Sequence, residues 1–264
     1  MGLVNLKHWL CLILLTAVAT FVQAQSLGEN RPDTSKWSYE VNLSASGRLI
    51  TGTFDQFVFS PRLDVEVASK RWQLENTTNY HYNSTNGQTI EDNWFELLTL
   101  SYFVRGDKLF PMAFYNYENN LMFRVKSRHL GGLGLSTQNK WKRGFARLDL
   151  GAGYENTVFN GENFENSGLV GSQREKELFM FRVVHQHQML GGRMAFSNVI
   201  FYRHSLKESQ DFFIRMAPGA TFKIAKGLSA SINYIYRFEK VHLKNLSDTN
   251  TALVFGLSYK IKNG

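Results

Sequence analysis

The residues here that could do chemistry are charged and periodic, not gathered in one motif. On segments that alternate apolar with polar they are Arg62, Asp64, Glu66, Glu75, Arg124, Lys126, Arg128, Arg147, Asp149, Arg182, Arg215, Arg237 and Glu239. Alternate side chains of an extended strand face opposite sides, so this spacing puts the charges on one face and the apolar residues on the other. Eight are basic and five acidic. Enclosed in a lumen, a basic-rich face could attract small anions. The same residues could instead pair with one another and brace a narrow barrel, because Arg or Lys facing lipid costs about 2–4 kcal/mol at mid-bilayer. Bracing is favoured for a barrel sized between filled eight-stranded and open sixteen-stranded ones.

Other constellations are weaker. His185-Gln186-His187 sets two imidazoles on one strand face, a metal-like pair for which spacing offers no third ligand. His204-Ser205 joins a base to a nucleophile, which a lipid-acting hydrolase needs, but strand neighbours point to opposite faces. Gly131-Gly132-Leu133-Gly134 lacks the following helix of a phosphate loop and suits a lumen-side bend. No catalytic residue, metal or cofactor is therefore expected, and no nucleic-acid partner.

The elements that would position the charges are strands. The first 24 residues carry Lys7, a 13-residue apolar run from Trp9 to Phe21 and a small-residue site at Val22-Gln23-Ala24. Such a run is short for a span of about 17–25 residues, so it reads as a cleaved signal peptide. Residues 25–35 form a polar lead-in, and 36–264 one β-domain. Cys11, the only cysteine, leaves with the signal, which rules out disulfides and thiol chemistry in the exported part. Losing Lys7 lowers the net charge from +8 to +7. With Phe at 21, Tyr at 11 and Pro at only 4, composition favours strands.

Alternation predicts strands from Trp37, and at 57–67, 72–82, 94–104, 109–117, 121–135, 146–154, 175–188, 194–202, 212–224, 228–239 and 251–261. Strand 4 is apolar on both faces, and Glu96 suits neither. Polar loops are expected at 83–93, 118–120 and 156–173. Twelve strands, with shorter turns after the even ones and aromatic residues near strand ends, indicate an all-β, antiparallel, up-and-down transmembrane barrel. The final strand has one apolar face and closes onto the first, which removes the sheet's edges as lipid requires. The expected setting is the bacterial outer membrane, as a monomer in contact with its lipid. An exported soluble β-protein is the alternative fold.

Several stretches carry a resemblance: WSYEVNLSASG followed by Thr51-Gly52-Thr53, RHLGGLGLS, LDLGAGYEN, SINYIYRFE and LVFGLSYKI. The sequence resembles domain-of-unknown-function family 481, sometimes labelled salt-induced outer-membrane proteins. That resemblance implies a small outer-membrane barrel, delivered by the barrel-assembly machinery and without established chemistry. Such barrels often end on an aromatic residue read by that machinery, whereas Tyr259 is followed by Lys260 to Gly264.

Overall fold

The computed structural model describes residues 37–51, 55–103, 109–165 and 171–263. The expected signal segment and lead-in lie outside these, as do turn residues 105–108. The described chain forms β1 (Ser38–Ile50), β2 (Gln56–Ala68), β3 (Trp72–Thr85), β4 (Gln88–Tyr102), β5 (Leu109–Asn120) and β6 (Val125–Trp141). It continues through β7 (Gly144–Phe159), β8 (Gln173–Met189), β9 (Met194–Ser205), a two-part β10 (Phe212–Met216 and Gly219–Lys223), β11 (Leu228–Glu239) and β12 (Thr249–Asn263). Each strand pairs antiparallel with the next, and β12 closes onto β1 from Tyr39↔Asn263 to Ala45↔Leu257, making a twelve-stranded barrel. A short ladder, Phe164–Glu165 with His242–Leu243, links the β7–β8 and β11–β12 connections.

The wall is inside-out. On β12, Leu253, Phe255, Leu257, Tyr259 and Ile261 are each more than half exposed. Arg128, Asp149 and Glu155 are buried within. Apolar area left facing outwards this way is what a bilayer covers and water does not. Aromatic pairs bound the belt on β3 and β4: Trp72 meets Tyr102 with ring centroids 4.5 Å apart, and Tyr80 meets Trp94 at 6.1 Å. The eight steps from Trp72 to Tyr80 span roughly 27 Å of strand, or about 20 Å along the axis at a tilt near 40°.

Several strands run further than expected. In place of a loop at 83–93, β3 and β4 continue to a two-residue turn, Asn86-Gly87, with φ of 51° and 77°. Both positions are left-handed, the geometry for which Asn-Gly is suited in a hairpin. β5 includes the expected loop residues 118–120, β7 runs to Phe159, and β12 continues through Lys262 to Asn263. β10 breaks at Ala217-Pro218, because proline cannot donate to the ladder. The wall stays bonded across the break, with Ala217 N–H donating to Val199 O at 2.8 Å and Tyr234 N–H to Pro218 O at 2.9 Å.

Candidate functional site: the charge-filled lumen

Three layers of side chains occupy the lumen. The uppermost, beside the longer connections, is apolar: Phe123, Val125, Phe159, Phe164, Val241 and Leu243 pack together with Leu246 against them. Most come from the β5–β6 turn and the two laddered connections, so these loops fold over the barrel mouth.

Beneath lies a knot of charge. Arg128 on β6 donates from Nη1 to Glu118 at 3.0 Å, from Nη2 to Glu239 at 2.5 Å and from Nε to Thr157 at 3.2 Å. Arg203 on β9 donates to Glu155 at 2.5 Å and reaches Glu239 at 3.5 Å. Arg237 on β11 pairs with Glu118 and, at 3.0 Å, with Glu239. Lys176 joins Glu155 at 3.1 Å to Asp211 at 2.9 Å, and Arg174 holds Asp211 at 2.7 Å and Glu208 at 3.0 Å. The buried Nε groups of Arg203 and Arg237 find no acceptor. Instead the guanidinium carbons stand 4.3 Å from the Phe213 ring centre and 4.0 Å from that of Phe123, where the ring faces attract cations.

The third layer mixes apolar and charged groups. Met112, Phe114, Leu130, Leu178 and Met180 form a cluster, with Phe201 against it. The glycines of β6 and β7 make room for it. A Cβ on Gly132 would stand 2.5 Å from Phe114 Cζ and 2.3 Å from Ala152 O. Towards the short turns, Arg147 binds Asp149 at 2.7 Å and Glu75 at 2.6 Å, and Arg182 binds Asp149 at 2.6 Å.

Some of these contacts cross the barrel. Glu118 and Arg237 lie on β5 and β11, six strands apart in a ring of twelve. Arg215 on β10 stands 4.8 Å from the ring centre of Phe95 on β4, again six strands away. Glu75 on β3 and Arg147 on β7 are four apart. Twelve strands about 4.8 Å apart and tilted near 40° would make a round barrel roughly 24 Å across between opposite backbones. Single pairs of side chains bridge it only because the section is flattened along these lines.

Asp64 takes a hydrogen bond from Thr77 at 2.8 Å and a two-pronged one from Arg62, with Nε and Nη2 at 2.7–3.0 Å. Glu66 stands opposite Glu75 in the β2–β3 register. Arg124 and Lys126 separate from Arg128, with which alternation had grouped them. Arg124 occupies the β5–β6 turn at φ 52°, exposed, and Lys126 is exposed as well. The register shifts between Val125 and Ser127, which breaks the period of two before Arg128 turns inward.

The other constellations take structural places. His185 and His187 stack on Trp141 in the outer wall, and Trp141 Nε1 donates to His187 Nδ1 at 3.2 Å. His204 lies beside Tyr202 on the outer face, whereas Ser205 Oγ accepts from the backbone N–H of Lys207 and Glu208 inside the barrel. Base and nucleophile are thus on opposite sides of the wall. Glu96 also faces outward, accepting from Asn76 Nδ2 at 3.0 Å.

A family model described as "Protein of unknown function, DUF481" matches residues 43–261. The chain belongs to this family. A search of curated proteins finds no match. Among solved structures, this DUF481 chain is similar to the NanC porin at 12% identity and a TM-score of 0.47, covering 84% of this chain and 100% of that one. It is similar to the translocator domain of the autotransporter NalP from Neisseria meningitidis at 10% identity and a TM-score of 0.43, covering 92% and 95%. Likenesses this distant carry nothing about function.

Proposed function

We propose that the protein is a monomeric outer-membrane β-barrel, exported behind a cleaved signal peptide and inserted by the barrel-assembly machinery, that serves as a braced envelope barrel and not as an open pore. The observation that carries this is the Glu118–Arg237 pair, which joins β5 to β11 across the barrel beneath an apolar lid. Buried ion pairs gain little net stability over apolar packing, but they fix which groups must meet. In a lumen they also occupy the path a solute would take. Basic residues left outside the pairs bias the remaining space towards small anions.

The test is direct. Purified protein should migrate faster unboiled than boiled, require detergent for extraction, and show little or no single-channel conductance in planar bilayers. Extraction by salt alone would refute the membrane barrel. A steady open conductance typical of general porins would refute the braced lumen.

A further inference from the structure

Among the described residues, Arg215 is a lumen cation that stands outside the ion-pair network. Arg215 is directly opposite Arg237 in the β10–β11 register, and like charges so placed repel. Arg237 is held by Glu118 and Glu239. Among the described residues, Arg215 has no carboxylate within 4.0 Å and no side-chain hydrogen bond. Its direct contact is the face of Phe95, 4.8 Å away. Its charged neighbours are Glu118, Arg237 and Arg62. Glu118 is already engaged by two arginines, and Arg62 is bound to Asp64. The Arg215 side chain is only partly buried, so its donors open onto the lumen.

We infer that Arg215 is the recognition group of a lumenal site for a small oxyanion, a carboxylate or a phosphate. This rests on the barrel proposed above. The planar guanidinium offers five donors in a fork that fits two oxygens of one anion. Phe95 covers one face of the fork and leaves its edge free, while Arg62 and Arg237 add favourable field. An anion there would supply the counter-charge that the chain itself does not.

The experiment uses the full chain, folded in detergent and titrated separately with inorganic phosphate and acetate at constant ionic strength in a calorimeter. Wild type should bind at one saturable site, and the stronger of the two anions identifies the class. Arg215→Gln should weaken binding about tenfold or more, as loss of charged hydrogen bonds does. Arg215→Lys should lose less, and Arg124→Gln, at an exposed turn, nothing. Absence of saturable binding, equal binding by Arg215→Gln, or an equal loss in Arg124→Gln would overturn the proposal. Should Arg215→Gln not fold, phenylglyoxal on wild type decides. Arg215 should react before the ion-paired Arg128 and be protected by phosphate, and reaction unaffected by phosphate would refute the site. Gel migration of the same samples separates the outcomes, since a folded barrel that does not bind defeats only the site, whereas a chain without the heat-dependent shift defeats the barrel.

Discussion

Glu239→Gln removes one charge from the knot while keeping its shape. Glu239 accepts from Arg128 at 2.5 Å, Arg237 at 3.0 Å and Arg203 at 3.5 Å. With Glu118 and Glu155 it balances those three arginines charge for charge. The amide leaves one guanidinium charge uncompensated among side chains that are nearly all buried. Removing one partner of a buried pair costs about 3–5 kcal/mol. Water in the lumen can solvate part of the excess charge, so the lower end, about 3 kcal/mol, is expected. The assay is urea unfolding of the refolded barrel in detergent, followed by tryptophan fluorescence and by the heat-dependent gel shift. The midpoint should fall with the slope unchanged, because the surface exposed on unfolding is the same. Adding Arg237→Met restores neutrality, so the double variant should be less damaged than the sum of the singles, with a coupling of about 1–3 kcal/mol. A Glu239→Gln protein within about 0.5 kcal/mol of wild type, or strictly additive effects, would refute the balanced knot.

Three further outcomes are expected from the same unfolding assay. Gly132→Ala should cost about 1–3 kcal/mol or block assembly, since its Cβ would meet Phe114 and the Ala152 carbonyl, whereas Gly131→Ala, with nothing within 4 Å, should be near neutral. Leu257→Arg, in the middle of the exposed row on β12, should lose about 2–4 kcal/mol in lipid vesicles, and Ser258→Arg, facing the lumen, clearly less. Gly87→Ala at φ +77° should cost about 1 kcal/mol and leave assembly intact, because no atom lies within 4 Å.

The barrel was legible because lipid and lumen impose opposite demands on adjacent residues. Leu228 to Glu239 alternates with a single exception at Ile235, and β11 has those bounds. Strand ends were harder to see, because above the bilayer both faces of a strand are polar. Composition therefore suggested a loop at 83–93 where the Asn86-Gly87 pair was the better guide. The error concealed part of the lumen. His81, inside β3, contacts Ser60 at 2.5 Å and Glu91 at 2.7 Å. Placing 118–120 in a loop hid Glu118, and ending strand 7 at Tyr154 hid Glu155, one step further along the series Arg147, Asp149, Gly151, Gly153. Arg174, Lys176 and Arg203 continue inward-facing series in the same way. Pairing across the ring was not legible at all, because partners such as Glu118 and Arg237 are brought together only by closure.

That closure also determines where space is left. Bridges from β3, β4 and β5 to β7, β10 and β11 draw the section into an oval whose far ends lie near β1–β2 and β7–β8. At the β7–β8 end, Arg147, Asp149, Glu155, Lys176 and the Leu178–Met180 pair fill the interior, fitted closely against glycines that give up their own side-chain volume. At the other end β12, β1 and β2 present Ser258, Asn42, Ser44 and Ser60, short side chains that are only partly buried. Arg62 lies on this margin and Arg215 faces it across the waist. Arg62 is spent on Asp64, whereas Arg215 stands opposite Arg237 without a carboxylate of its own, and that placement favours an anion as its counter-charge.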